Sequence, residues 1–215
     1  MRNLEKDEIE MAARRESMLT EGFRLFSEKG IEAVGMQEVA DACHLGIATL
    51  YRYYKSKLLL VLDIGVTKWE EYIEYINRMR KEQNANAMSA ASEFEFYLDF
   101  YIDLYQNHRD LLRFNQNFNS FMQHEGATKE LLKPYVDSIS TIGKLFYCIY
   151  EKGKRDGTIH TKMPMDKMFA TTAHIMMAVG VRYAQGVLYD GENEADRTEE
   201  YTLLKNMMLK EFVVS

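Results

Sequence analysis

Apolar residues recur at intervals of three and four positions along most of the chain, which is the spacing of one face of an amphipathic helix. The first such segment covers residues 15–29, and Gly30 follows it, where a glycine commonly ends a helix. Segments 36–43 and 47–54 are each only about two turns long, and a long segment covers residues 56–79. The pattern therefore predicts a long helix, two short helices and a second long helix.

Five further helices are predicted beyond the polar stretch 81–90, which interrupts the pattern. They cover residues 92–107, 109–122, 128–154, 165–189 and 194–212. Only two prolines and twelve glycines occur in 215 residues, which favours long helices with few interruptions. The predicted fold class is all-α, with about nine helices.

The two short helices, separated by about three residues and preceded by a longer helix, have the layout of a helix-turn-helix. In that motif the later short helix enters the major groove of DNA. The chain has a formal net charge of −6, yet no acidic residue occurs between Asp41 and Asp63. Residues 47–57 instead contain three tyrosines and the cations Arg52, Lys55 and Lys57. This local patch is therefore the candidate DNA-contacting surface.

The stretch GIEAVGMQEVADACHLGIATLYRYYKSKLLL, and within it TLYRYYKSK, resembles the DNA-binding domain of TetR-family transcriptional regulators. The resemblance covers about the first sixty residues closely, and the rest agrees in length and helical plan. It implies a helix-turn-helix DNA-binding domain at residues 1–57 and a larger helical effector-binding and dimerisation domain at residues 58–215. It also implies a double-stranded DNA operator as partner, usually under repression.

The chemistry of the predicted recognition helix agrees with that expectation. Leu50 and Tyr54 lie four residues apart and can pack inward, which leaves the hydroxyls and cations between them for DNA. Arg52 is suited to bidentate contact with guanine. The resemblance implies mostly backbone contacts for Thr49, Tyr51, Tyr53 and Lys57, and base or groove contacts for Gln37, Ile47, Ala48 and Arg52. Lys55 adds a further cation.

Four positions depart from the pattern of that family. Gly35 and Gly46 stand where Ser or Thr commonly caps the two short helices, and Leu58 replaces a usual acid. A glycine cap is tolerated but lacks a hydroxyl that could bond a phosphate. His44 stands where the turn usually has glycine, so it is expected to need a left-handed backbone.

Aromatic residues are concentrated between Phe94 and Phe121, which contain nine of the 26 aromatics in the chain. The helix at 92–107 is apolar almost all round and is therefore expected to be central. Because tyrosine hydroxyls are costly to bury in a dry core, a cavity for a small apolar or aromatic effector would explain them, and a plain aromatic core is the alternative for each residue. The predicted lining residues are Phe94, Tyr97, Tyr101, Tyr105, Phe114, Phe118, Phe121, Tyr147, Met176 and Tyr183.

The last two predicted helices are candidates for a homodimer interface. The penultimate helix carries small residues that would let another helix approach closely, namely Ala170, Ala173, Gly180, Ala184 and Gly186. The last helix repeats apolar residues at Tyr201, Leu204, Met208 and Phe212. The resemblance implies a four-helix dimer interface here, and packing within one chain is the alternative.

No arrangement of residues in the sequence indicates catalysis, a metal site or a cofactor. The five histidines are scattered, no ExxH or HExxH motif occurs, and Cys43 and Cys148 lie far apart outside any CxxC motif. No signal peptide and no apolar run of about 18 residues is present, so a soluble, cytoplasmic protein is expected. One alternative stays open: a helical small-molecule or partner-binding protein that has lost specific DNA binding.

Overall fold

The structure, a computed structural model, describes residues 4–186 and 194–213, with side chains for residues 7–186 and 197–213. Those residues form nine α-helices, which confirms the all-α prediction. The helices are α1 (Leu4–Lys29), α2 (Met36–Ala42), α3 (Ile47–Tyr53), α4 (Lys57–Glu82), α5 (Ala90–Asn107), α6 (Arg109–His124), α7 (Lys129–Asp156), α8 (Met165–Ala184) and α9 (Glu194–Phe212). A single 3₁₀ turn, Ala85–Ala87, lies between α4 and α5.

The predicted helix boundaries hold to within a few residues, except at the start of α1. This helix begins at Leu4 and not at residue 15. Residues 4–14 are mostly good helix formers, and Arg14 pairs with Glu10 one turn earlier, but their large apolar residues, Leu4, Ile9 and Met11, do not recur at intervals of three or four. Apolar periodicity therefore missed this part of α1. α8 ends at Ala184, and Gly186 has a left-handed φ of 87°, so the helix ends before the predicted residue 189, which itself lies outside the described residues.

The chain folds into two compact units, residues 1–69 with 113–136 and residues 70–112 with 137–215. The domain boundary expected from the resemblance, at residue 57, lies at the start of α4, whereas the two units divide the chain after residues 69, 112 and 136, so that boundary stays a prediction. In the first unit, Phe26, Leu50, Leu60 and Ile64 are fully buried. This core holds α1, α3 and α4 together, and burial of each large apolar side chain contributes about 1.5–3 kcal/mol.

The second unit is built around α5. Apolar side chains on all sides of α5 are buried, as predicted, and α5 contacts both α8 and α9. Gly180 on α8 makes close approach to α9 possible, because a Cβ atom there would lie 3.0 Å from the hydroxyl oxygen of Tyr201. Tyr201, Met208 and Phe212 are buried within this unit, so the apolar stripe predicted on the last helix packs inside its own chain.

Candidate DNA-binding site

α3 buries one apolar side chain and presents most of the others outward. Leu50 is fully buried, whereas Tyr51 is 48% exposed and Arg52 lies at the surface. Because α3 has only seven residues, one buried leucine determines which face points inward. Gly46 caps the helix without a side-chain hydrogen bond, so no capping hydroxyl is available there for a phosphate.

The turn between α2 and α3 is made by a histidine. His44 has a φ of 55°, which confirms the predicted left-handed backbone. The backbone N–H of Leu45 donates to the carbonyl oxygen of Ala40 at 2.9 Å, which closes the end of α2. Gly35 caps α2 without a side-chain hydrogen bond, in the same way as Gly46 caps α3. Backbone hydrogen bonds, and not side-chain caps, therefore define this helix-turn-helix.

Most of the predicted DNA-contacting side chains are accessible to solvent. Gln37, Ala48, Tyr51, Arg52 and Lys55 are exposed, and Ile47, Thr49, Tyr53 and Lys57 are half-buried. The side-chain amide of Gln37 donates to Asp41 Oδ1 at 2.7 Å, so a base contact by Gln37 requires this hydrogen bond to break. Hydroxyls and cations thus dominate the outer face of α3, which is the chemistry that phosphate oxygens accept.

Arg52 and Tyr53 border α1 as well as the outer face of α3. They share a cleft of about 470 Å³ with Asp7, Glu10 and other residues near the start of α1. The guanidinium carbon of Arg52 lies 6.0 Å from the ring centre of Tyr53. Two carboxylates on this side reduce the local positive potential. The sequence missed this contribution because residues 4–14 were not predicted to be helical.

Tyr54, directly after α3, anchors the recognition helix to the other helices of the first unit. Its hydroxyl donates to Asp63 Oδ2 on α4 at 2.6 Å, and Arg15 on α1 donates to both carboxylate oxygens of Asp63 at 2.7 Å. Burial, followed by the hydrogen bond to Asp63, raises the pKa of Tyr54. Sequence analysis missed Arg15 and Asp63. Tyr54 lies four residues after the inward-facing Leu50, and this spacing was the one sign in the sequence that the Tyr54 hydroxyl needs a partner inside the protein.

Lys57, at the start of α4, points toward aromatic rings and a carbonyl group. Its Nζ lies 5.8 Å from the ring centre of Phe26 and 5.3 Å from that of Phe121. The same atom lies 3.4 Å from the carbonyl oxygen of Glu32. Burial lowers the pKa of Lys57, although Glu125 and Glu32 oppose the shift. A phosphate contact by Lys57 would require its side chain to leave these rings.

The predicted ligand-lining residues of the second unit are nearly all buried. Phe94, Tyr97, Tyr101, Tyr105 and Met176 are each at most 8% exposed. The hydroxyls of Tyr97 and Tyr101 form a hydrogen bond of 2.6 Å, and burial raises the pKa of Tyr101 to about 12. Tyr183 bonds to Glu200 and stacks edge-on against Tyr105. The cavity itself stays a prediction.

Tyr147 differs from the other predicted lining residues of the second unit. It is 51% exposed, and its neighbour Phe146 is the buried aromatic of α7. The ring centre of Phe146 lies 5.9 Å from that of Phe94 and 5.4 Å from that of Tyr97. Adjacent helical positions point about 100° apart. The sequence therefore identified the correct turn of α7 but placed the inward direction one residue too late.

The remaining predicted lining residues, Phe114, Phe118 and Phe121, belong to the first unit. Phe118 stacks on Tyr135 with ring centres 4.3 Å apart. The hydroxyl of Tyr135 accepts from Trp69 Nε1 at 3.1 Å and donates to Asn115 Oδ1 at 2.7 Å. This polar chain within the first unit shows how one buried hydroxyl is satisfied without a ligand.

No cluster of His, Cys, Asp or Glu side chains suited to a metal ion occurs among the residues that the structure describes. None of the helices in the described ranges is long and apolar enough to cross a membrane.

Comparison with known proteins gives similarity to one family of regulators. The model of the family described as "Bacterial regulatory proteins, tetR family" matches residues 18–64, which contain α2, α3 and the turn made by His44. An HTH-type transcriptional regulator from Staphylococcus aureus (strain MRSA252) is 25% identical over 146 residues, 67% of this chain and 70% of its own.

Solved structures share the fold over nearly the whole chain. A putative transcriptional regulator from Saccharomonospora viridis, in complex with choline, has a TM-score of 0.76 at 12% identity and covers 95% of this chain and 100% of its own. The regulator FadR from Bacillus subtilis, in complex with stearoyl-CoA, has a TM-score of 0.66 at 14% identity and covers 90% and 95%. The helix-turn-helix, its match to the family model at residues 18–64 and the shared fold agree, and together they support a TetR-family transcriptional regulator.

Proposed function

We propose that the protein is a repressor that binds a palindromic operator as a homodimer and that a small apolar or aromatic effector controls this binding. The observation that carries the DNA-binding part is the outer face of α3. Tyr51 and Arg52 are exposed there, while Leu50 and Tyr54 hold the helix from behind. A rigidly held helix with outward hydroxyls and cations can place them against phosphates and base edges together.

A two-fold symmetric dimer requires a nearly two-fold symmetric DNA site, because each α3 then meets an equivalent half-site. Apolar side chains left exposed on the last two helices support such a dimer. Ile175 on α8 is 37% exposed, and Leu203 and Met207 on α9 are each 60% exposed. Leu203 and Met207 lie four residues apart on one face of α9, which suits a helix-helix contact with a second copy.

The effector part of the proposal rests on polar atoms buried among apolar side chains. The Tyr105 hydroxyl and the Thr172 hydroxyl are buried and have no hydrogen-bond partner among the described residues. Leaving a buried hydroxyl unpaired costs about 1–3 kcal/mol. A mainly apolar ligand with one or two polar groups could pair with them. The choline and stearoyl-CoA complexes of the two structural relatives indicate that this fold accommodates chemically different ligands.

Control of DNA binding requires the effector to bind two conformations of the dimer with different affinities. A tenfold change in operator affinity needs about 1.4 kcal/mol of such a difference. We propose that occupancy of the aromatic region changes the separation of the two α3 helices, with α4 as the connecting element, so that the effector-bound dimer fits its operator less well.

Selection of duplexes from a random pool by the immobilised full chain tests the DNA-binding part. We expect enrichment of an inverted repeat whose half-sites lie about 34 Å apart or slightly more. Light scattering should give a dimer at micromolar concentration, and Leu203→Glu should give a monomer. The control Val136→Glu, at another exposed apolar residue, should leave the dimer intact. A monomeric parent protein that selects no inverted repeat would favour the alternative of a binding protein without DNA specificity.

A panel of small apolar and aromatic compounds, screened by thermal shift and then by operator release, tests the effector part. A compound that raises the melting temperature should also weaken operator binding. Tyr105→Phe and Thr172→Val remove the unpaired hydroxyls and should weaken the response to a compound that bonds them. If no compound in a broad panel shifts both quantities, the effector proposal is contradicted while the DNA-binding proposal stands.

A further inference from the structure

A cleft within the second unit is lined by cations in an otherwise acidic protein. It has a volume of about 510 Å³ and lies between the last turns of α4, the start of α5 and one face of α7. Volumes of this size are typical of small-molecule sites. The residues that line it are Asn77, Arg80, Asn86, Glu93, Thr141, Lys144, Leu145, Cys148, Lys152 and Arg155. We refer to it as the α4–α7 cleft.

The cleft is formed by one regular face of α7. Lys144 and Leu145 are adjacent, and the other α7 residues of the cleft follow at intervals of three or four positions, so their side chains form a single stripe along the helix. Lys144, Lys152 and Arg155 supply three cations on that stripe, and Arg80 on α4 supplies a fourth. Cations are favourable in the last turn of a helix, which explains the presence of Arg155 there. It does not explain Lys144, which lies three turns earlier.

Two of the four cations share a single carboxylate at the base of the cleft. Glu93 is 4% exposed and accepts from Arg80 and, at 3.0 Å, from Lys152. One carboxylate cannot neutralise two cations, so positive charge remains even at this base. The Nζ of Lys152 also lies 3.3 Å from the carbonyl oxygen of Asn86, which holds its side chain in place. Glu93 therefore positions two cations without cancelling their charge.

The other two cations have no carboxylate partner. Lys144 and Arg155 are exposed and form no ion pair with any described residue. The Nε of Arg80 is also buried without a hydrogen-bond acceptor among the described residues. Arginine presents its donors as a planar fork that fits phosphate and carboxylate groups. Asn77 and Thr141 add neutral polar groups to the lining.

We propose that the α4–α7 cleft binds a small organic anion carrying two or more negative charges, as a phosphate ester or a polycarboxylate. Four cations and one carboxylate leave a net positive site that a dianion or trianion neutralises, and Leu145 offers a contact for its carbon skeleton. This site uses none of the residues assigned to DNA or to the aromatic region. It is therefore independent of the proposed repressor function.

Cys148 provides a reporter inside the cleft. It is an exposed free cysteine that lines the α4–α7 cleft, whereas Cys43 is half-buried in the first unit. A bound anion should shield Cys148 from alkylation by iodoacetamide, a neutral reagent, and leave Cys43 unaffected. The probes are glucose 6-phosphate and citrate at constant ionic strength, with glucose as the uncharged control. Peptide mass spectrometry gives the rate at each cysteine, without any operator DNA present.

We expect at least one of the two anions to slow alkylation of Cys148 saturably, by about tenfold when its concentration is about ten times its dissociation constant. Protection by glucose 6-phosphate alone identifies phosphate esters as the ligand class, and protection by citrate alone identifies polycarboxylates. The double variant Lys144→Gln/Arg155→Gln should lose the protection. Lys154→Gln should keep it, because Lys154 pairs with Glu151 at 2.7 Å and does not line the cleft.

Three results would overturn the proposal. The first is an unchanged Cys148 rate with both anions at millimolar concentration. The second is equal protection by glucose, or equal slowing at Cys43, since either would show an effect that is not specific to charge in the cleft. The third is full protection in the Lys144→Gln/Arg155→Gln variant. A loss of DNA binding has no bearing on any of these rates, so failure here and failure of the repressor proposal are distinguishable.

Discussion

The tyrosines of α3, in the first unit, and those of α5, in the second unit, differ in exposure and in where their hydroxyls find partners. In the first unit, Tyr51 on α3 is 48% exposed and directs its hydroxyl to the outside. In the second unit, Tyr97 and Tyr101 on α5 are at most 8% exposed and bond to each other at 2.6 Å. The difference follows from the number of apolar faces on each helix. α3 buries one leucine, whereas α5 is buried nearly all round, so its hydroxyls must find partners inside.

The comparison shows on which kind of helix the partner of a tyrosine hydroxyl can be inferred from the sequence. On a short helix with one inward residue, the other hydroxyls lie at the surface and can be assigned to a binding partner such as DNA. On a helix that is buried on all sides, the same residues support either a self-satisfied core or a ligand site. The Tyr97–Tyr101 pair is self-satisfied, whereas the unpaired Tyr105 hydroxyl on the same helix is the one that favours a ligand.

The largest effect is expected from Tyr51→Ala on operator binding. A hydrogen bond to a charged phosphate is worth about 1.5 kcal/mol or more, and a dimer loses two of them, so affinity should fall about 100-fold. Fluorescence anisotropy with the selected operator measures this. Tyr147→Ala removes a tyrosine of similar exposure, 51%, from the second unit and should leave operator affinity within about twofold. Equal losses in the two variants would remove α3 from the DNA-binding surface.

The next largest effect is expected on stability, from Tyr97→Phe or Tyr101→Phe. Each single change leaves the other hydroxyl buried and unpaired, which should lower the free energy of unfolding by about 1–3 kcal/mol. The double variant removes both hydroxyls and should recover most of the loss. Denaturant unfolding of the three variants measures this coupling. Additive losses would show that each hydroxyl has a separate partner, and operator affinity should stay unchanged throughout.

The helix-turn-helix could be predicted from the sequence because every local signal there agrees. Two short apolar patterns, the short turn between them and a cation-rich segment all lie within thirty residues. The left-handed backbone of His44 was expected from the resemblance, because His44 stands where the turn of that family usually has glycine. Contacts between distant segments could not be predicted in this way. Arg15 and Asp63 lie 48 residues apart, and periodicity carries no information about which polar side chains meet.

The register of α7 shows a second limit. Phe146 and Tyr147 are adjacent aromatics in a segment with apolar residues on several faces, so the sequence did not determine which one points inward. The α4–α7 cleft was missed for a related reason. Its cations come from α4 and α7, which are separated in sequence by the whole of α5 and α6. Only the fold brings these residues together.

A smaller effect separates two neighbouring tyrosines of the first unit. Tyr54→Phe removes the donor to Asp63 and should lower the free energy of unfolding by about 1 kcal/mol. Tyr53→Phe should leave stability unchanged and weaken binding to all operator variants alike, because a backbone contact carries no sequence information. Denaturant unfolding and anisotropy on both variants measure the two quantities. The opposite outcome, with Tyr53 stabilising and Tyr54 binding DNA, would reverse the assigned directions of the two side chains.

The smallest effect on affinity at fixed salt is expected from Lys57→Ala. To reach a phosphate, Lys57 must leave the rings of Phe26 and Phe121, and cation–π contacts of about 0.5–1 kcal/mol each offset part of the gain. The slope of binding against salt concentration is more diagnostic, because each phosphate contact contributes about 0.9 to it, so the dimer should lose about two units. Lys68→Ala is the matched control, since Lys68 lies 5.1 Å from the ring centre of Phe23 and is not assigned to DNA. Its slope should equal that of the parent. An unchanged slope in Lys57→Ala, together with lower stability, would instead assign Lys57 to packing between α4 and the aromatic rings of the first unit.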